Sequence, residues 1–410
     1  MKTLIWLTLL FSTHAFAFYG YKLSGYEATL PAHFMLKAES LEKASEKAQA
    51  LARLHASFMI GSLMDETKEG SRGAISKNIN LSEIKTSFAS ATEFRVDYQI
   101  DVSMILENKR NLKNFSVSLP LYPEDIYNQA DRRCTGQYYY SGAEFVYFQF
   151  WSPSKRNCPL IPGKDFQDYE VNLKPRSSQT ETYPRYDEMI QNNEVKLYFY
   201  FGSDYENLNR FGEAGKGFES LKYWLRKKKF TNVRGSNEWN KQLGSLKLTY
   251  NLLLGNPLPN TPHSQEEYFW FMKEAFETGS YVQYTGHAGH GGIMDLSALS
   301  EKFKTKVNYP QDKYQVYYIN GCQTFVYATN YYPELKGGYK NLHMLLNGDV
   351  SWPDTTWTNL EAPLEQFYNY FAFGTRTSFQ TMIDNSSLKM DRQLGAYRSS
   401  PMLVLEDGLN

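Results

Sequence analysis

The chain has 410 residues, 44 of them basic and 44 acidic, so its formal net charge is zero. No overall field draws it to nucleic acid or to an anionic membrane surface. The length suits two or three domains of about 150 residues each, and the 32 tyrosines do not fall into the repeated, roughly ten-residue alternation that a transmembrane barrel requires.

Lys2, the apolar run from Leu4 to Phe11 and the small-residue pattern Ala15-Phe16-Ala17 follow one another in the order of a cleavable export signal. The run is far shorter than the ~20 residues that cross a bilayer. Residues 1–17 are therefore read as a signal peptide, and no membrane span is expected elsewhere. The mature chain is expected to begin near Phe18 and to be exported, periplasmic or extracellular, where disulfides persist.

From Glu39 to Leu63 the apolar residues Leu41, Ala44, Ala48, Leu51 and Phe58 recur at helical spacing. His55 shares that face and is taken as a packed core residue. Phe94, Val96, Tyr98, Ile100, Val102 and Met104 alternate with mostly polar neighbours, the pattern of a half-buried strand. The stretches Phe115–Leu119 and Glu144–Trp151 predict further strands. Residues 18–163 thus form an expected α+β N-terminal domain. Of three cysteines one must be left over in an oxidising compartment. A Cys134–Cys158 disulfide would close a loop of about 25 residues, worth roughly 3.5 kcal/mol in the chain-entropy model, and would leave Cys322 as the free thiol.

Residues 164–194 are polar, contain Pro175 and Pro184, and are read as a linker. Beyond them strand and helix patterns alternate, as in an α/β domain over residues 195–390. Val195–Phe201 is a nearly continuous apolar run, as in a buried central strand. A helix is expected over Gly217–Lys228, its basic end Arg226–Lys229 being solvated charge at a helix C-terminus. Strands at Leu246–Leu254, Tyr281–Thr285, Gln315–Ile319 and Asn341–Asn347, with a helix at Ser264–Glu277, predict a parallel, helix-covered sheet. Residues 391–410 are read as a C-terminal tail.

Two of those strands run straight into glycine-containing turns. One is followed by Gly286-His287-Ala288-Gly289-His290-Gly291-Gly292, the other by Gly321 and Cys322. Open parallel sheets bind ligands beyond the carboxyl ends of their strands, so an imidazole and a thiol are expected side by side there. That pair suits acyl transfer. A thiolate is strongly nucleophilic, an imidazole activates it and protonates a leaving amine, and backbone N–H groups in tight turns hold an oxyanion.

Tyr284-Thr285-Gly286-His287 closing one strand, and Tyr317-Tyr318-Ile319-Asn320-Gly321-Cys322 closing the next, resemble the His and Cys signatures of clan CD cysteine peptidases, the group of caspases, legumain, clostripain and gingipains. The likeness spans roughly Val195 to Asn385. It implies a caspase-like, mostly parallel sheet flanked by helices and preceded by the smaller α+β domain. It further implies hydrolysis of a peptide or protein substrate without cofactor or metal, with Cys322 as nucleophile and His287 as general acid/base. The oxyanion would be held by backbone amides at Cys322 and just after the histidine, in the turns of Gly321 and Ala288. In the clan the histidine is followed by Gly. Here Ala288 follows His287 and Gly291 follows His290, so His290 stays as the alternative. By the same resemblance Trp352, Asp354 and Trp357 are candidates for the substrate-pocket wall. Two other classes remain: a catalytically inactive caspase-like module, binding or structural, in the cell envelope; and a metal site on His287 and His290, completed by His343 or Asp295.

Overall fold

Alternation of buried and solvent-facing side chains shapes the first unit. The structure, a computed structural model, describes residues 19–64, 73–75, 79–107, 115–136, 144–175, 182–202, 212–256, 262–394 and 402–406; the segment read as a signal peptide lies outside them. In chain order the first elements are β1 (Tyr19–Gly20), β2 (Leu23–Lys37), α1 (Leu41–Met64), β3 (Gly73–Ile75), β4 (Asn80–Phe88), β5 (Glu93–Glu107), β6 (Ser116–Pro120), α2 (Pro123–Gln129), β7 (Phe166–Glu170) and β8 (Asn172–Pro175). The long strands β2 and β5 pair antiparallel from Leu23↔Glu107 to Lys37↔Glu93. Their inner face buries Leu30, Phe34, Val96 and Ile100 beneath α1. That helix carries buried Ala44, Ala48, Ala52 and Ala56, one every fourth residue. A ridge of methyl groups lets it lie close to the sheet.

Cys134 and Cys158 form the expected disulfide. Inside the loop they close, Glu144–Phe150 is a 3-10 helix, not the predicted strand. The reason is Phe58 of α1, whose ring meets Tyr147, Phe148 and Trp151. A strand would send Tyr147 and Phe148 to opposite faces; a tight helical turn brings both to one ring.

The linker boundary also shifts. β7 pairs with β6, and β8 with β2, so residues up to Pro175 complete the first unit. Tyr186 and Met189, further on, are buried in the second.

The second unit contains β9 (Glu194–Gly202), α3 (Glu213–Lys227), β10 (Thr231–Asn232), β11 (Glu238–Leu243), β12 (Leu246–Gly255), α4 (Pro262–Thr278), β13 (Tyr281–Thr285), α5 (Ser297–Lys302), β14 (Gln315–Asn320), α6 (Thr324–Lys336), β15 (Leu342–Asn347), α7 (Thr356–Phe373), α8 (Phe379–Leu394) and β16 (Leu403–Glu406). Its nine-stranded sheet runs β1-β16-β15-β14-β13-β9-β12-β11-β10. The five central strands are parallel. Counted along the chain from β9, their spatial order is 2-1-3-4-5, that of a doubly wound sheet. α3, α7 and α8 cover one face, and α4 and α6 the other. Both covered faces explain why every residue of β13 and β14 is buried, the polar Gln283 and Gln315 included.

Both edges are antiparallel. The predicted C-terminal tail is in part the strand β16, which pairs with Met344–Asn347 of β15 and buries Leu403, Val404 and Leu405. β1 then pairs with β16, so a strand from the beginning of the described chain completes the second sheet. An exposed edge of that composition would be an aggregation template; these two strands cover it.

Two buried histidines give the protein a definite response to acid. His55 lies in the first core with its Nδ1 2.6 Å from the Tyr98 hydroxyl, and His343 has its Nδ1 2.8 Å from the Tyr314 hydroxyl. Burial, chiefly, lowers the pKa of each to about 3. The unfolded chain takes up protons at both sites below pH ~6.5 while the folded chain does not. Stability is therefore full above that pH and falls as the pH drops towards 3, by about 1.4 kcal/mol per pH unit for each histidine. Urea unfolding between pH 7 and 5 should show the loss, and His343→Asn should shed about half of the slope.

Candidate active site

β13 and β14 run in register from Tyr281↔Val316 to Thr285↔Asn320. The chain consequently leaves both strands at one level of the sheet, at Gly286 and Gly321, and the next residues are His287 and Cys322. The Gly286 amide donates to the Asn320 carbonyl at 3.1 Å. Close approach dictates glycine here. A Cβ on Gly321 would stand 2.8 Å from the Gly286 carbonyl oxygen, and one on Gly286 would stand 3.2 Å from the α-carbon of Gly202 at the end of β9. Three neighbouring strand ends thus pack backbone on backbone.

Cys322 is half-buried and outside the disulfide. Its Sγ lies 3.8 Å from the Ser351 carbonyl, which can accept the thiol proton. Gln323 adopts the left-handed conformation, φ 55°, and turns the chain directly into α6. A non-glycine residue there costs about 1 kcal/mol or more. It is held by its amide bond to the Asp349 carbonyl at 2.9 Å. Thr324, the first residue of α6, donates its hydroxyl to the Ile319 carbonyl at 2.7 Å and accepts the Asn347 amide at 2.9 Å. The helix start is thereby stapled to β14 and β15, with its positive end beside the sulfur, where negative charge is favoured.

Beneath the cysteine turn lies a network of side chains that sequence reasoning missed. The Asn347 Nδ2 donates to Asn320 Oδ1 at 2.7 Å and to the Gly321 carbonyl at 3.2 Å, and the Ser351 hydroxyl donates to Asn320 Oδ1 at 2.7 Å. Both asparagines are buried. Asn320 Nδ2 and Asn347 Oδ1 have no hydrogen-bond partner among the described residues. The sequence carried a signal for this: the apolar runs of two successive strands each end in Asn-Gly, at Asn320-Gly321 and Asn347-Gly348.

On the histidine side, the buried Tyr284 donates its hydroxyl to the His287 carbonyl. His287 is exposed and Ala288 is buried. A Cβ on Gly321 would lie 3.4 Å from the Ala288 nitrogen, so the two turns meet at these residues. His290 has its backbone in the 3-10 turn Gly289–Gly291; its side chain lies outside what is described.

Of the pocket candidates, Trp352 directly follows Ser351, whose carbonyl faces Cys322. Asp354 is exposed, and its carbonyl accepts a bond from Gln393. Trp357 is partly buried and packs against the core between α3, α7 and α8. Of the two residues that would complete a metal site, His343 is removed from the histidine turn. His343 lies at the start of β15, paired with Val316 and remote from the rim where His287 emerges. Asp295 takes the Ser297 amide and the Tyr331 hydroxyl, both at 2.8 Å. No group of three His, Cys, Asp or Glu suited to a metal occurs among the described residues.

The first unit reaches this site through α6. Val326 is buried in the first unit's core, and the Tyr327 hydroxyl accepts a bond from Gln149 of the 3-10 helix inside the disulfide loop. The same tyrosine packs on the histidine turn, where a Cβ on Gly291 would lie 3.1 Å from its Cβ. Nothing in the sequence announced that contact. Compared with family models, curated proteins and solved structures, the chain matches none.

Proposed function

We propose that the chain is an exported, caspase-like cysteine peptidase that cleaves peptide bonds with Cys322 and His287. The observation that carries this reading is the register of β13 and β14, which brings the histidine and cysteine turns out of one sheet rim with their backbones in contact. The disulfide supports the exported setting, since such bonds persist in oxidising compartments. The strand order supports a ligand crevice at this end of the sheet.

The Cys322 sulfur, having given its proton to His287, attacks the scissile carbonyl carbon. A C–S bond forms as the carbonyl π pair moves to oxygen, and the backbone amides of Cys322 and Ala288 receive that oxyanion. The oxyanion re-forms the carbonyl as the C–N bond breaks, and the leaving amine takes the proton from His287. Water, losing a proton to His287, then attacks the thioester, and departure of sulfur, reprotonated by His287, restores the thiol.

Alkylation tests the pair without knowledge of the substrate. Iodoacetamide at pH 7 should label native Cys322 about tenfold faster than free cysteine, because an ion-paired thiolate is more abundant. His287→Ala should bring the rate down to that of free cysteine or below. Labelling that occurs only after denaturation would sink the peptidase reading. A proteome-wide comparison of cleavage by wild type and Cys322→Ala then identifies the substrate.

A further inference from the structure

We infer that Asn347 and Tyr284 are positioning residues that aim the two oxyanion-binding amides, each by holding the carbonyl on the other side of the peptide bond. The inference rests on the peptidase reading and deepens it. A trans peptide is planar, with its C=O and N–H pointing opposite ways. The Gly321 carbonyl is turned down onto the buried Asn347 Nδ2 at 3.2 Å, so the Cys322 N–H of the same peptide points away from the buried asparagines. The His287 carbonyl is likewise turned onto the buried Tyr284 hydroxyl, and the Ala288 N–H points away from it. Two side chains from neighbouring layers of the rim thus apply one device to the two turns.

The orientation of the Asn347 amide group follows from its partner. A backbone carbonyl only accepts, so the atom facing Gly321 must be the nitrogen. Its oxygen is then left without a partner among the described residues, as is the Asn320 nitrogen. Buried orphan atoms are costly and rare. Leucine has the same branched outline but no N–H to offer the Gly321 carbonyl, so the amide nitrogen is what this position supplies to the cysteine turn.

The test separates oxyanion binding from thiol reactivity. The probe is an acetyl-tripeptide aldehyde, chosen from a scan of the residue bearing the aldehyde, together with the matching fluorogenic tripeptide amide. Cys322 adds to the aldehyde carbon. A C–S bond forms, the carbonyl π pair moves to oxygen, and that oxygen is held by the two amides before it takes the His287 proton. Iodoacetamide reacts by displacement at carbon and makes no oxyanion. In Asn347→Leu and Tyr284→Phe, kcat and aldehyde affinity should fall together by about 10- to 100-fold, within reach of what a lost oxyanion donor costs. KM and the alkylation rate should stay within about twofold, as expected when only transition-state contacts are lost. Unchanged kcat and aldehyde affinity in both variants would overturn the inference while leaving the peptidase reading intact. So would an alkylation rate that drops as far as kcat, since the thiol itself would then be displaced. A wild type that binds no aldehyde in the scan and cleaves none of the amides removes the peptidase reading, and this inference with it.

Discussion

Replacing Cys322 by alanine is expected to lower peptide hydrolysis at least about a thousandfold, with little change in folding. The size follows from the proposed mechanism: without the sulfur no covalent intermediate would form, and loss of a nucleophile in such a dyad removes nearly all catalysis above what binding and oxyanion contacts retain. The small effect on folding follows from the site. Cys322 is half-buried, and its thiol makes a long approach to the Ser351 carbonyl at 3.8 Å. Removing one sulfur from such a place costs under about 1 kcal/mol. The check is kcat/KM on the best peptide of the scan, beside a thermal melt. A variant that keeps a tenth of wild-type turnover would mean that the chemistry lies elsewhere.

Gly321→Ala should cost about a hundredfold in turnover although it removes no candidate catalytic side chain. Its methyl group would meet the Gly286 carbonyl oxygen at 2.8 Å, and that oxygen belongs to backbone which the sheet holds from both sides. The cysteine and histidine turns must therefore separate, and a misplacement of ~1 Å between reacting groups is worth about two orders of magnitude. Overpacking of this kind also lowers stability by about 1–3 kcal/mol. Gly348→Ala is the natural comparison. Its methyl group meets the end of the Ile105 side chain at 2.6 Å. A side-chain tip can rotate away, so that variant should turn over within about threefold of wild type. Equal losses in the two variants would show that the turns tolerate separation.

The sequence made some levels of this structure legible and hid others. The central strands were plain because burial on both faces leaves no polar alternation: Val195–Phe201, Tyr281–Thr285 and Gln315–Ile319 were predicted and lie in β9, β13 and β14. The Cys134–Cys158 pair followed from closeness in one aromatic-rich stretch, with Cys322 far downstream. Edge strands were hidden. β16 is four residues long and β1 two, too short for any period to show, and their pairing is set by the exposed flank of β15. The strand expected at Glu144–Trp151 failed because its aromatic residues answer to one ring, Phe58, which periodicity does not see. At the site, the positions of His287 and Cys322 were legible from glycine turns after apolar runs. The supporting atoms were not, because a hydrogen bond between Asn347 and Gly321 depends on the register of two strands joined through a helix, which no local pattern fixes.

The pairing of β1 with β16, together with the seat of Val326 in the first unit's core, has a bearing on maturation. Many peptidases are switched on by severing a blocking segment that then drifts off. Here the first unit is clasped twice, by a strand at one margin of the large sheet and by the helix that follows the thiol. A single nick between the units leaves a two-piece molecule still joined through both clasps. That arrangement suits a permanent scaffold of the cleft better than a disposable cap, and size-exclusion chromatography of a nicked sample should show one peak containing both fragments.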